Sequence, residues 1–151
     1  NDEYRRRLEF WRIATLIGRH TGLRLGDVCR LEAASLEDEC ARMVVWTGKR
    51  NKRVSLPVPA SLRQALADWP STDGSPYLFP MEAATYADVK KRSGLSMTFS
   101  RLCHAAGEAG HGFHDLRFTY SQECEAAGIP IPHIKSLLGH SQESTTHGYL
   151  E

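Results

Sequence analysis

The sequence lacks any apolar run long enough for a membrane-spanning helix. Its first ten residues, NDEYRRRLEF, also lack the hydrophobic centre of a secretory signal peptide. Hydrophobic residues make up 41% and charged residues 25% of the 151 positions, as in ordinary globular proteins. These features predict a soluble protein, or a piece of one, that is large enough for a single domain with a real core.

Cysteines are few and scattered, with no CxxC pair among them: Cys29, Cys40, Cys103 and Cys124. This spacing argues against a disulfide framework or a cysteine zinc site, and it predicts reduced thiols in a cytoplasmic protein. The sequence also lacks an HExxH motif and a carboxylate-rich cluster. A metal-dependent hydrolase is therefore disfavoured. Its ligands would have to be His111, His114, His140 and His147.

An excess of charge of one sign is missing too, because 19 Lys and Arg residues face 18 Asp and Glu residues. A net charge of +1 does not by itself indicate a nucleic-acid partner. The charges are segregated, however, with basic runs GKRNKR at 48–53 and KKR at 90–92, and the acidic run LEDE at 36–39. Such runs are usually solvated surface, but their separation can give a nearly neutral molecule one basic face.

The pattern of apolar residues predicts a mainly α domain with a small antiparallel β-sheet (α+β). Helices are expected over residues 4–19, about 26–31, 59–69, about 96–108, 114–128, 130–139 and about 143–150. The β-branched runs MVVWT and RVSLPV flank GKRNK, so they predict a hairpin with a basic tip.

Polar residues stand at five places where the surrounding pattern argues for precise positioning. HDLR sets His114 and Arg117 at i and i+3, on one face of a helix. The other places are Arg24 after a helix-ending glycine, Lys49 at the hairpin tip, His140 just beyond a helix, and Tyr149 nine residues after His140. Each has an ordinary explanation when taken alone, such as an ion pair from Arg24 to Asp27 or a packing aromatic.

Taken together, four stretches resemble the sequence boxes of the tyrosine recombinases, the phage integrase family: TGLRLGDVCRL, GKRNKRVSLPV, HDLRFT and LLGHSQESTTHGYL. HxxR alone is unspecific, but HxxR followed by LLGH and a tyrosine nine residues later is a specific combination. The resemblance spans residues 24–149 and implies the catalytic-domain fold of that family. It implies a single catalytic domain over residues 1–151, with the family's N-terminal DNA-clamping domain and C-terminal tail absent from this chain.

The resemblance also implies a site-specific recombinase, of a phage or mobile element, that acts through a 3′-phosphotyrosyl intermediate without metal, other cofactor or ATP. Its catalytic residues would be Arg24, Lys49, His114, Arg117, His140 and Tyr149. The two arginines would clamp the scissile phosphate, because a guanidinium is a planar fork of donors that stays charged. His140 would add a donor, His114 would accept the proton of the Tyr149 nucleophile, and Lys49 would protonate the leaving 5′-oxygen.

The expected partners are double-stranded DNA and further copies of the chain, as a tetramer on DNA. The isolated chain is expected to bind DNA weakly and to be monomeric. Lys52 is the alternative to Lys49 as general acid, and His111 and His147 match no catalytic position.

Three departures from the family pattern stand near these residues. Gly26 and Asp27 replace a common serine and glutamate, and Phe118 replaces a frequent histidine. Because Asp27 retains the acid, we expect its supporting role to survive.

Two alternative functions remain: a type IB topoisomerase-like enzyme that nicks and reseals DNA, and a non-catalytic DNA-binding integrase relic. The relic is disfavoured because all six chemical positions are filled.

Overall fold

The structure, a computed structural model, describes residues 1–47, 52–70 and 74–138. In this part of the chain the helices are α1 (Asp2–Thr21), α2 (Leu25–Cys29), α3 (Ala60–Asp68), α4 (Pro80–Ala87), α5 (Arg92–Ala105), α6 (His114–Ala126) and α7 (Ile131–Leu138). The strands are β1 (Leu36–Glu37), β2 (Arg42–Thr47) and β3 (Lys52–Pro57), and a 3-10 turn covers Ala33–Ser35.

Helix α1 is the central helix of the core. The side chain of Asn1 caps it by accepting a hydrogen bond from the backbone N–H of Glu3 (3.0 Å), and Gly22 ends it in the left-handed conformation (φ 70°). The helix packs against α2, α3 and α6. Its buried positions recur at helical spacing and supply much of the apolar core: Phe10, Trp11, Ile13, Ala14 and Ile17.

The sheet is antiparallel, with strand order β1-β2-β3. Met43 pairs with Leu56 and Val45 pairs with Val54, and all four side chains are buried. Because alternate residues of a strand face the same side of a sheet, these two pairs form its inner face. Trp46 points away from that face and is 57% exposed.

A chain of aromatic rings fixes the start of α6 against the core. The ring of Trp11 in α1 lies 5.8 Å from that of Phe99 in α5, measured between centroids. The ring of Phe99 in turn lies edge-on to Phe113 at 5.1 Å. Because Phe113 directly precedes α6, this packing sets where His114 begins that helix.

The predicted mainly α architecture with a small antiparallel sheet is confirmed, as are the helices around 4–19, 26–31, 59–69, 96–108, 114–128 and 130–139, within a few residues at their ends. Both hairpin strands are present, whereas the hairpin tip and the expected helix at 143–150 lie outside the described residues. Strand β1 and helix α4 were not predicted. No helix in the described ranges is both long and apolar enough to cross a membrane.

Gly22 combines a left-handed backbone with close packing, so its replacement should lower the stability of the fold for two separate reasons. A Cβ at this position would lie 2.6 Å from Leu138 Cδ2 and 2.6 Å from Tyr120 Cδ1. The backbone term is about 1–2 kcal/mol, and overpacking adds about 1–3 kcal/mol. We expect Gly22→Ala to lower the free energy of unfolding, measured in urea, by the sum of both terms.

Gly107→Ala is the matched control for this substitution. Gly107 has a similar positive φ of 87°, but a Cβ there would meet no atom within 4 Å. It should lose only the backbone term. Equal losses of unfolding free energy in the two variants would contradict the packing argument.

Candidate functional site

Arg117 in α6 is a fully buried charged side chain, only 2% exposed. Its Nη1 donates to the carbonyl oxygen of Gly22 (2.6 Å), and its Nη2 donates to the carbonyl oxygen of Leu138 (2.8 Å). These carbonyls lie at the ends of α1 and α7. The guanidinium therefore holds the residues that lead into Arg24 against α6. It holds the last described residue of α7 at the same point.

Arg24 occupies the turn between α1 and α2, where it is the N-cap residue of α2 in an extended conformation (φ −72°, ψ 154°). Its side chain is half-buried. The simple explanation of an ion pair from Arg24 to Asp27 is wrong, because Asp27 pairs instead with Arg30 (Oδ1 to Nη2, 3.4 Å). Within the described ranges, the side chain of Arg24 forms neither a hydrogen bond nor an ion pair.

His114 is the first residue of α6 and lies at the surface. Partial burial of its ring, followed by the positive charges of Arg117 and Arg24, lowers its pKa below the ordinary value of 6.5, and Asp115 opposes this shift. Both arginines therefore lie close enough to act on one imidazole. At pH 7 the ring is mainly neutral, so it can accept a proton.

Asp27 is the acid that stands among these cations. Its side chain is 9% exposed. Burial raises its pKa, while Arg30, Arg24 and Arg117 each act in the opposite direction. The acid retained in the first sequence box thus lies within electrostatic range of both predicted clamp arginines.

Arg24 and His114 line one cavity of about 390 Å³. Tyr86 of α4 and three polar residues at the start of α5 line it as well: Arg92, Ser93 and Ser96. Two guanidiniums, an imidazole and two hydroxyls form a donor-rich surface that suits an anion such as a phosphate. Sequence reasoning missed Arg92 as a site residue, because the run KKR looked like solvated surface.

Tyr86 explains why glycine stands at position 26. A Cβ on Gly26 would lie 2.4 Å from both Cζ and Oη of Tyr86, too close for any side chain without a shift of the ring. The same ring is approached by two guanidiniums, with Cζ of Arg92 at 4.6 Å and Cζ of Arg30 at 5.2 Å from its centroid. The departure from the serine of the family pattern therefore has a local steric reason.

Several of the remaining predicted site residues lie outside the part of the chain that the structure describes. Lys49, His140, Tyr149 and His147 lie outside the described residues, and for Lys52 only the backbone, as the first residue of β3, is described. His111 pairs with Asp115 (3.3 Å) rather than joining Arg24 and His114. In residues 1–47, 52–70 and 74–138, no three His, Cys, Asp or Glu side chains come close enough to hold a metal ion.

Comparison with known proteins identifies the family. The chain matches the model of the phage integrase family over residues 7–151, and it belongs to that family. It is 33% identical over 144 residues to tyrosine recombinase XerA of Pyrococcus furiosus, an alignment that covers 91% of this chain and 49% of that protein. The family inferred from the four sequence boxes is confirmed.

Solved structures show the same fold. XerA recombinase superimposes with a TM-score of 0.70 at 21% identity, covering 100% of this chain and 57% of the other. A dimer of lambda integrase (75–356) bound to a COC′ core site gives a TM-score of 0.68 at 20% identity, covering 94% of this chain and 52% of the other. The chain spans about half the length of the relatives it matches.

The charge coupling within the site can be measured directly. We expect the pKa of His114, followed by NMR, to lie below 6.5, and we expect Arg24→Ala to raise it because a nearby positive charge is lost. Because the folded-state pKa of His114 is lowered, the unfolded chain binds this proton more readily than the folded chain. The contribution of His114 to the free energy of unfolding is therefore greatest above its unfolded pKa and falls as the pH drops through the folded pKa.

Arg12→Ala serves as the control, because Arg12 is an exposed arginine paired with Glu9 and its charge is not among those acting on His114. It should leave the pKa of His114 unchanged. A His114 pKa that responds equally to both substitutions, or to neither, would argue against a shared site for Arg24 and His114.

Proposed function

We propose that residues 1–151 form the catalytic domain of a site-specific DNA recombinase that cleaves and rejoins strands through a covalent 3′-phosphotyrosyl intermediate. One observation carries the proposal: Arg24, His114 and Arg117, which come from two separate sequence boxes, are gathered at one site, where Arg24 and His114 line the same cavity. Membership of the phage integrase family supports the same reading.

The two arginines are suited to clamp the scissile phosphate. Its non-bridging oxygens gain negative charge in the transition state, so fixed donors placed there lower the barrier. Arg24 lines the cavity and has no acidic partner among the described side chains, which leaves it available for an anion. Arg117 is held by the carbonyls of Gly22 and Leu138, so its charge is placed with little freedom.

His140 is the proposed third donor. It follows Leu138 by two residues, and the carbonyl of Leu138 is bonded to Arg117 at 2.8 Å. Two residues of extended chain reach about 7 Å at most. Covalent connection therefore supports a place for His140 near the same phosphate.

His114 is the proposed base and Tyr149 the proposed nucleophile. A phenol with a pKa of about 10 is mostly protonated at pH 7 and needs a base, which the neutral ring of His114 supplies. The phenolic oxygen of Tyr149 bonds to phosphorus as the bond to the 5′-oxygen breaks. The ester retains the energy of the broken bond, so another 5′-hydroxyl can reverse the step without ATP.

The leaving 5′-oxygen takes its proton from Lys49 in this proposal, with Lys52 as the alternative. Both lie at or beside the connection between β2, which ends at Thr47, and β3, which begins at Lys52. The basic composition of this connection, GKRN, favours contact with the DNA backbone.

The proposed substrate is double-stranded DNA, and the proposed assembly is a tetramer of this catalytic domain on the DNA. The lambda integrase structure of the same fold, a dimer bound to a core site, supports a DNA partner and more than one copy.

Tyr149→Phe tests the nucleophile. The variant should form no covalent adduct with a nicked suicide duplex, because the attacking oxygen is gone, and denaturing gel electrophoresis would measure the adduct. Tyr4→Phe is the matched control, since Tyr4 is 61% exposed on α1, and it should form the adduct normally. An adduct formed by the Tyr149→Phe protein would mean that another residue is the nucleophile.

A substrate with sulfur at the 5′-bridging position tests the general acid. Loss of the acid should slow cleavage about 10²–10⁴-fold, and the sulfur substrate should restore the rate because a thiolate leaves without a proton. Lys49→Ala is expected to show this rescue and Lys52→Ala is not, in single-turnover cleavage assays. Rescue of Lys52→Ala alone would transfer the role to Lys52, and rescue of neither would exclude both.

A further inference from the structure

The cavity beside Arg24 and His114 contains another cation, Arg92, that the proposed function does not use. Among the described residues that line it, none is acidic. Arg92 also has no ion pair with a side chain in the described ranges, whereas four other arginines have one: Arg6, Arg12, Arg19 and Arg30. A cavity with cations and no counter-charge favours an anionic ligand.

The guanidinium of Arg92 is held by Tyr86 through two contacts. Its Nε donates to the carbonyl oxygen of Tyr86 (2.9 Å), and its Cζ lies 4.6 Å from the centre of the Tyr86 ring. Neither Nη group bonds to a described residue. A guanidinium held in place by stacking loses less conformational freedom when it binds, so it is well prepared to hold a ligand.

Two hydroxyls accompany Arg92 at the cavity wall. Ser93 and Ser96 belong to the first turns of α5, and both side chains are exposed to solvent. Hydroxyl groups and guanidiniums are among the side-chain donors that contact phosphate oxygens in DNA complexes. The combination therefore suits a backbone phosphate.

We propose that Arg92, positioned by Tyr86, binds a DNA backbone phosphate adjacent to the scissile phosphate. This inference rests on the proposed function, because it takes DNA as the ligand. In that function Arg24, Arg117 and His140 already serve the two non-bridging oxygens of the scissile phosphate. Arg92 would then bind the next phosphate of the strand, with Ser93 and Ser96 as additional donors.

The salt dependence of DNA affinity tests the contact, because each neutralised phosphate contributes about 0.9 to the slope of log Kd against log salt. Between about 50 and 200 mM salt, wild-type affinity should fall about 3.5-fold further than that of Arg92→Gln, by the same relation. Fluorescence anisotropy with a labelled duplex would measure both slopes. Arg92→Lys should keep the wild-type slope, because it keeps the charge.

Arg12→Gln is the control for a general loss of positive charge, since Arg12 is exposed and paired with Glu9. It should leave the slope unchanged. Circular dichroism would establish that each variant is folded. An unchanged slope in folded Arg92→Gln, or an equal change in Arg12→Gln, would overturn the proposal.

Single-turnover cleavage at saturating protein separates a neighbouring phosphate from the scissile one. Arg24→Gln should abolish cleavage, whereas Arg92→Gln should retain most of the rate once DNA is bound, because a ground-state contact is shared by the transition state. A collapse of the Arg92→Gln rate to that of Arg24→Gln would place Arg92 on the scissile phosphate and overturn the assignment to its neighbour.

The same data distinguish failure of this inference from failure of the proposed function. A wild-type adduct together with an unchanged Arg92→Gln slope would overturn only the role of Arg92. A reduced slope without any wild-type adduct would support the phosphate contact while the recombinase proposal fails. A wild-type chain that binds no duplex at low salt would overturn both.

Discussion

The buried guanidinium of Arg117 is the interaction on which the geometry of the site depends. The carbonyl of Gly22, 95 residues away in sequence, accepts one of its hydrogen bonds, and the carbonyl of Leu138, 21 residues away, accepts another. Burying a charged group is costly unless its donors are satisfied. The ends of α1 and α7 must therefore come to α6 if the arginine is to be buried. This requirement brings the Arg24 turn beside His114.

Two glycines shape the connection from α1 into α2, for different physical reasons. Gly22 must take a left-handed backbone to end α1, and its neighbours leave no room for a Cβ. Gly26 has an ordinary helical backbone, but the ring of Tyr86 occupies the space of its side chain. The sequence of this turn is thus tied to α4, because Tyr86 comes from that helix and also holds Arg92.

Local signals account for what the sequence could predict. Pro59 before α3, Gly22 after α1 and the alternation in β2 and β3 are short-range features, and the elements they mark were found. Helix α4 was missed although Pro80 stands at its first position, a common place for proline in a helix. The HxxR spacing places two side chains on one helix face, but burial of Arg117 depends on partners distant in sequence, which no local pattern reveals.

The near-neutral total charge conceals how the charges are distributed. Some acids elsewhere in the described part of the chain have arginine partners: Glu82 pairs with Arg6 and Glu123 pairs with Arg19. Asp27 is likewise paired with Arg30, although it lies beside the site. Over the described ranges, these pairings leave Arg24 and Arg92 without an acidic partner, and both line the same cavity. Anion binding is decided by which cations lack a neighbouring acid, so a domain with almost no net charge can present a strongly positive site.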